Sequence, residues 1–166
     1  LRKNAHIGLI SKNCREWVIS DLAIMMAGYV SVPFFSNLTS DEIKNLLDFG
    51  DVDLLIVGKV EDWVNQKKGV PKKMPIISFP NYDGFSSVED GYQWYDFINK
   101  HEPLKEPHQP DLDDTWTIIF TSGTTGDPKG VVLTYLALDK TKVIHSQSNP
   151  LKVDFSGNNE FISYLP

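Results

Sequence analysis

The chain has 166 residues, of which 41% are hydrophobic and 23% are charged, a composition typical of a globular protein with one sizeable core. No apolar run approaches the roughly 20 residues that span a bilayer, so no transmembrane segment is expected. A formal net charge of −6 argues against a general surface for nucleic acid or anionic membranes, because such surfaces need clustered Lys and Arg.

Strand and helix patterns alternate from the start of the chain. An apolar run predicts a strand over residues 7–10, and the spacing of apolar residues after Cys14 predicts a helix that ends at Gly28. We expect this helix to turn one set of apolar side chains toward the core: Val18, Leu22, Met25, Met26 and Tyr29.

A second strand and helix follow. Residues 30–35 read as a strand whose end is marked by Pro33. Thr39 and Glu42 form a capping box that predicts the start of a helix with Ile43, Leu46 and Leu47 on one face. A buried strand over residues 54–57 comes next. This alternation predicts an α/β fold with a mainly parallel sheet flanked by helices.

The pattern is less regular farther along. A short helix over residues 60–67 and a strand over 75–79 extend the alternation, and turn residues and prolines then dominate residues 80–110, with a short helix over 93–99. The aromatic side chains of this region allow two interpretations, an acyl pocket or surface packing, and the adjacent helical pattern favours packing: Tyr92, Trp94, Tyr95 and Phe97.

Cysteine and histidine add little chemistry. The single cysteine, Cys14, excludes an internal disulfide and fits a reducing compartment, so we expect a cytoplasmic protein. Its position at a helix start favours a structural role over a nucleophilic one. The four histidines show no spacing typical of metal ligands.

The strongest functional signal lies between two strand-like segments, residues 118–120 and 131–133. Glycines between them allow backbone N–H groups to approach an anion, and hydroxyl groups add further donors: Thr121, Ser122, Thr124 and Thr125. Lys129 supplies a cation. The segment therefore predicts a phosphate-binding loop, followed by a helix over residues 135–146.

The spacing of this loop excludes the Walker pattern, since Lys129 follows Asp127-Pro128 and precedes Gly130. Residues 121–130, TSGTTGDPKG, instead resemble the phosphate-loop signature of the adenylate-forming enzymes, which include acyl-CoA synthetases, luciferases and adenylation domains of peptide synthetases. Other segments are similar to the same family: residues 7–10, 13–17 and 21–33, and, most like long-chain fatty acyl-CoA synthetases, residues 113–119 and 161–166.

The resemblance implies that residues 1–166 are part of an N-terminal AMP-binding domain, divided into a β/α subdomain (1–80), an irregular connection (81–110) and a phosphate-loop segment (111–166). It implies an ATP-dependent enzyme that converts a carboxylic acid to an acyl-adenylate and then transfers the acyl group to coenzyme A, with Mg²⁺ as cofactor. Since the resemblance is greatest to long-chain fatty acyl-CoA synthetases, the implied acid is a long-chain fatty acid.

The resemblance also implies roles for single residues. The triphosphate contacts would be Thr121, Ser122, Gly123, Thr124, Thr125, Gly126 and Lys129, and Thr121 would face Mg²⁺. No catalytic acid or base is assigned. Asp127 is expected to point to solvent, because a carboxylate near phosphates would repel them. One departure concerns Tyr135, where the family commonly has His.

The family's later motifs have no counterpart before Pro166, and the chain begins at Leu1. We therefore expect a fragment that is catalytically inert by itself and binds ATP weakly. The expected partners are small molecules, namely ATP, a carboxylic acid and coenzyme A, and not nucleic acid. Peripheral membrane contact of the longer protein to which the fragment belongs is left open. Alternatives are an adenylation domain for an amino or aryl acid, a nucleotide hydrolase, and a non-catalytic homologue that serves as an interaction module.

Overall fold

The computed structural model describes residues 1–122 and 128–140, with Ser122 described by its backbone alone. Within these residues, seven strands form one sheet. The strands are β1 (His6–Ile10), β2 (Val30–Phe34), β3 (Val52–Val57), β4 (Ile76–Ser78), β5 (Tyr92–Gln93), β6 (Thr115–Ser122) and β7 (Pro128–Thr134). The helices are α1 (Arg15–Met26), α2 (Ser40–Phe49), α3 (Trp63–Gln66) and α4 (Trp94–Ile98), and a further helix is described over residues 135–140.

The strand order is β5-β4-β3-β1-β2-β6-β7. Every neighbouring pair is parallel except β6 and β7, which form an antiparallel hairpin. The predicted α/β class with a mainly parallel sheet is therefore confirmed. Because the chain passes from β1 to β2 on one side and from β2 back to β3 on the other, the crossover helices α1 and α2 lie on opposite faces of the sheet.

Each face of the sheet has its own hydrophobic core. On one face, Ile43 and Leu47 of α2 and Trp63 of α3 pack against Val32 and Leu55. A second cluster covers the other face with residues from α1, α4 and the strands: Ile7, Leu9, Ile24, Ile56, Phe79 and Trp94. The sheet is thus the middle layer of three.

The second helix starts where the capping box predicts. The Thr39 N–H donates to the Glu42 carboxylate at 2.8 Å, and the Glu42 N–H donates to the Thr39 hydroxyl at 3.4 Å. These bonds satisfy two amide groups that have no partner inside the helix. The Thr39 N–H and the Thr39 hydroxyl both donate to the Glu42 carboxylate and hold the pKa of Glu42 below its usual value. The predicted apolar face is also confirmed, since Ile43 and Leu47 are buried.

The predicted core face of the first helix is wrong for Val18, Leu22 and Met26, whereas Tyr29 packs against the second core as predicted. Val18, Leu22 and Met26 are 52%, 48% and 41% exposed, while the buried positions are Glu16, Ser20 and Ile24. Both sets repeat every four residues, so helical spacing alone does not decide which one meets the sheet. The set that packs inward contains Ile24, which belongs to the core, and Glu16, which has hydrogen-bond partners there. The helix ends at Met26, before Gly28, whose φ of +73° favours glycine.

Residues 80–110 contribute more structure than the sequence indicates. The two-residue strand β5, which was not predicted, pairs with β4, and Trp94 of α4 packs edge-on against Phe79 with ring centroids 5.1 Å apart. Tyr92 and Tyr95 are exposed. These contacts support packing over an acyl pocket for the aromatic residues of this region.

Candidate functional site

The two strands on either side of the predicted phosphate loop, β6 and β7, end and begin at the edge where the parallel strands end. Ile10 at the end of β1 lies in register with Phe34 at the end of β2, and β6 runs parallel to β2 from the Ser31–Thr117 pair onward. The ends of β1, β2 and β6 therefore share one edge, named here the carboxyl edge. Ligands of open α/β sheets bind at this edge.

Two of the predicted phosphate ligands meet across the β6–β7 hairpin. Thr121 pairs with Lys129, and Ser122 pairs with Pro128. Residues directly opposite in an antiparallel pair share a face, with Cβ atoms roughly 5 Å apart, so the side chains of Thr121 and Lys129 leave the hairpin on the same face. Both residues are exposed. The Gly123, Thr124, Thr125 and Gly126 positions, and Asp127, lie outside the described residues.

The other face of the hairpin is buried against α2. Phe120 is 7% exposed and its ring stacks on that of Phe34, with centroids 5.9 Å apart and an interplanar angle of 6°. The ring of Phe49 meets it edge-on at 5.7 Å. Alternation along β6 thus sends Thr121 to one face and Phe120 to the other. Sequence reasoning missed this cluster, since its members are far apart in the chain.

Two hollows flank the base of the hairpin, and Phe35 and Phe120 line both. The larger has a volume of about 500 Å³ and lies at the ends of β1, β2 and β6, with Lys12, Asn13 and Asn37 on its walls. The smaller has a volume of about 360 Å³ and lies between α2 and the hairpin. Phe35 is 66% exposed. An organic ligand thus has room beside the predicted phosphate loop.

Other cations at the carboxyl edge already have protein partners. Lys12 forms an ion pair with Glu61. Lys59 stands over the rings of Tyr82 and Phe85, at 5.3 and 4.8 Å from their centroids. These contacts offset part of the positive charge that the two lysines present to a ligand.

In the part of the chain that the structure describes, no group of three or more His, Cys, Asp or Glu side chains could hold a metal ion. Mg²⁺ typically binds nucleotide phosphates together with one or two protein oxygens. The exposed Thr121 hydroxyl, beside a cation that can bind the same phosphates, fits such a shared site.

A buried carboxylate lies at the start of α1. Glu16 has a side chain that is 2% exposed and accepts from Arg15 at 2.8 Å and from the Tyr82 hydroxyl. Burial by itself would raise the pKa of Glu16, but the hydrogen bonds from Tyr82 and Arg15 outweigh it and lower that pKa. Burial and Glu16 together raise the pKa of Tyr82. This network ties residues 80–90 to α1.

Cys14 has the predicted structural setting. It is the N-cap residue of α1 and is half-buried, with its Sγ 3.7 Å from the Ser11 hydroxyl oxygen.

Tyr135 lies at the opposite edge of the sheet from the loop. It follows β7, whose other end carries Lys129, and its N–H donates to the carbonyl of Asp114 at 3.1 Å. The side chain is 8% exposed. Burial and the nearby carboxylates Asp114 and Asp21 raise the pKa of Tyr135. The residue that departs from the family pattern is therefore a packing residue far from the predicted phosphate site.

Residues 1–166 match the family of AMP-binding enzymes. Fatty acyl-CoA synthetase B of Dictyostelium discoideum is 30% identical over a match that covers 100% of this chain and 26% of the relative. Long chain acyl-CoA synthetase 6, peroxisomal, of Arabidopsis thaliana is 30% identical over 96% of this chain and 24% of the relative. The chain thus spans about a quarter of the length of these relatives.

Solved structures share the fold. An anthranilate CoA ligase in complex with anthranoyl-AMP aligns with a TM-score of 0.74 at 22% identity, covering 87% of this chain and 27% of that one. A natural red emitting luciferase from Phrixothrix hirtus aligns with a TM-score of 0.71 at 20% identity, covering 89% of this chain and 29% of that one. Among the described residues, no helix has the length and apolar character needed to cross a membrane. From the sequence match and the relatives at 30% identity, the chain belongs to the AMP-binding enzyme family.

Proposed function

We propose that the chain is the N-terminal part of an ATP-dependent acid–thiol ligase. The parent protein, meaning the longer protein that contains this chain, would activate a long-chain fatty acid as its acyl-adenylate and transfer the acyl group to coenzyme A. The observation that carries the proposal is the Thr121–Lys129 pair at the mouth of the TSGTTGDPKG loop, on the carboxyl edge of a parallel sheet. One relative named as a fatty acyl-CoA synthetase and another named as a long chain acyl-CoA synthetase support the choice of acid.

The first step joins two anions. A carboxylate oxygen attacks the α-phosphorus of ATP. The bond between that phosphorus and the oxygen that bridges the α- and β-phosphates breaks, and pyrophosphate leaves with that oxygen. Donors and cations at the β- and γ-phosphates lower the barrier by neutralising charge and orienting the leaving group. A single lysine–phosphate contact contributes up to about 4 kcal/mol before desolvation, at roughly 4 Å and an effective dielectric constant near 20.

The residues proposed for this task are those of the loop and hairpin: Thr121, Ser122, Gly123, Thr124, Thr125, Gly126 and Lys129. Lys129 would hold the β- and γ-phosphates, and the Thr121 hydroxyl would face a Mg²⁺ ion that neutralises phosphate charge. In the second step the thiolate of coenzyme A attacks the acyl carbon and AMP leaves. We assign no residue of this chain to that step.

The organisation of the chain is part of the proposal. We propose a partial AMP-binding domain with a β/α subdomain (1–80), a connection (81–110) and a phosphate-loop segment (111–166). Strands from the described parts of all three segments join one sheet. A cytoplasmic location, suggested by the single cysteine, and peripheral membrane contact of the parent protein also belong to the proposal.

Acid-dependent exchange of labelled pyrophosphate into ATP by the parent protein tests this function. We expect exchange with a long-chain fatty acid and little with an amino or aryl acid. If exchange occurred only with an aryl or amino acid, the proposed fatty acid substrate would be wrong. ATP hydrolysis without any acid would indicate a hydrolase. A parent protein that shows no nucleotide chemistry would be a non-catalytic homologue.

The isolated chain is expected to be inert, because it carries a phosphate loop without the family's later motifs. Titration calorimetry with Mg-ATP is expected to show only weak binding. Micromolar affinity, or acyl-adenylate formed by the chain alone, would refute this expectation.

A further inference from the structure

The β6–β7 hairpin has few anchors near its loop. β7 is the last strand of the sheet within the described residues, and its Val131 and Val132 are 46% and 55% exposed. Ser31 and Thr117 are the one register pair described between β6 and β2, supported by a hydrogen bond of 2.8 Å from the Thr117 hydroxyl to the Ser31 carbonyl. Because the described register between β6 and β2 is limited to this pair, we expect side chains to hold the loop end of the hairpin against the rest of the sheet.

Phe120 is the side chain placed to hold it. It comes directly before Thr121, and its buried ring contacts Phe34 at the end of β2 and Phe49 at the end of α2. Aromatic pairs of this geometry stabilise the fold beyond the burial of area. The ring thus connects the loop end of β6 to two elements that do not belong to the hairpin.

Two glycines, Gly130 and Gly50, lie close to the Phe120 ring. A Cβ atom on Gly130 of β7 would lie 3.1 Å from the Phe120 ring and 3.2 Å from the Ile118 side chain. A Cβ atom on Gly50 would lie 3.2 and 3.3 Å from that ring and 2.9 Å from the Leu46 carbonyl oxygen. Backbone therefore approaches Phe120 from both strand β7 and the end of α2, so its position is closely defined.

We infer that Phe120, held by Phe34 and Phe49, is a positioning residue for the adenylation half-reaction. By fixing the loop end of the hairpin from the α2 face, it orients the Thr121–Lys129 pair on the other face toward the polyphosphate. This inference rests on the proposed function. A displacement of about 1 Å in such a site costs up to roughly 100-fold in rate, so the loss should appear where pyrophosphate leaves and not where the thiol attacks.

The test uses three variants of the parent protein. Phe120→Leu removes the central ring. Phe49→Leu removes an edge contact from a residue that is 61% exposed, so we expect that variant to fold with little loss of stability. Phe79→Leu is the matched control, because Phe79 is 1% exposed and packs edge-on against Trp94 on the opposite face of the sheet. For each, pyrophosphate exchange and thioester formation from supplied acyl-adenylate are measured together with Tm.

We expect Phe120→Leu to slow exchange on the order of tenfold or more and Phe49→Leu by a few-fold, with thioester formation within about twofold of wild type. Phe79→Leu should lower Tm without separating the two half-reactions. Equal losses in both half-reactions, or unchanged exchange in Phe49→Leu and Phe120→Leu, would overturn the positioning role. If the wild-type parent shows no exchange, the proposed function and this role fall together; if it exchanges normally, only the positioning role is at stake.

Discussion

Thr121 and Lys129 lie directly opposite each other where β6 and β7 meet the loop. β6 ends at Ser122 and β7 begins at Pro128, so a threonine and a lysine on either side of the predicted loop share one face of the hairpin. Neither residue alone distinguishes a phosphate site from an ordinary surface turn. Their pairing at the carboxyl edge provides a donor and a charge at one place, which an anionic ligand needs.

Replacing Lys129 tests the charge at this place. In the parent protein, Lys129→Ala should slow pyrophosphate exchange on the order of 10- to 100-fold, since a hydrogen bond to a charged group contributes about 1.5–3 kcal/mol. Thioester formation from supplied acyl-adenylate should remain largely intact. Lys100→Ala, a change at an exposed lysine of the connection, is the control and should leave both steps unchanged. Equal losses in both half-reactions would count against the assigned role.

The position of Tyr135 predicts that its difference from the family pattern has no catalytic consequence. Its side chain is buried at the edge opposite the loop, so Tyr135→Phe, which keeps the ring, should leave pyrophosphate exchange by the parent protein within about twofold of wild type. Steady-state kinetics with varied ATP will measure this. A rise in KM for ATP of tenfold would show that Tyr135 acts on the nucleotide.

Glu16 should make stability depend on pH. Its pKa is lowered in the folded chain relative to about 4.3 when unfolded, so its contribution is complete above that value and is lost as pH falls through the folded value. Glu16→Gln should therefore lower the free energy of unfolding at pH 7 by about 1–3 kcal/mol.

Urea unfolding at pH 7 and near pH 3 measures this dependence. The gap between wild type and Glu16→Gln should shrink at the lower pH, because below the unfolded pKa the unfolded chain binds a proton that folded Glu16 binds less readily. Glu102→Gln, at an exposed position, is the control and should show no gap at either pH. A gap that stays constant would mean that Glu16 contributes by shape and not by charge.

The capping box of α2 gives a prediction for stability alone. Thr39→Ala removes the acceptor for the Glu42 N–H and should cost about 1 kcal/mol in the free energy of unfolding. The neighbouring change Ser40→Ala lies inside the helix and should stay within about 0.5 kcal/mol. Chemical denaturation of the two variants compares them directly; a larger cost for Ser40→Ala would place the N-cap elsewhere.

Local signals predicted the elements that local chemistry decides. The Thr39–Glu42 box fixes the start of α2 whatever surrounds it, and the loop sequence indicates strands on both sides, which the hairpin confirms. The inward face of α1 was not predictable in the same way. Val18 and Leu22 have the stronger apolar signal, but Glu16 finds Tyr82 across the fold, and such a partner is invisible to helical spacing.

The site shows the same division. The loop sequence predicts Thr121 and Lys129 as separate phosphate contacts, whereas their pairing depends on the register of the hairpin. In the sequence, Phe120 looks like any apolar residue of a strand, because its partners Phe34 and Phe49 come from distant parts of the chain. Long-range packing of this kind supports the site without a motif of its own.

The location of the triphosphate is the most direct test of the central claim. A crystal structure of the parent protein with ATP should place the β- and γ-phosphates in the loop between Thr121 and Lys129, with the lysine ammonium within hydrogen-bond distance of a phosphate oxygen. Phosphates bound at another site, with this hairpin facing bulk solvent, would contradict it.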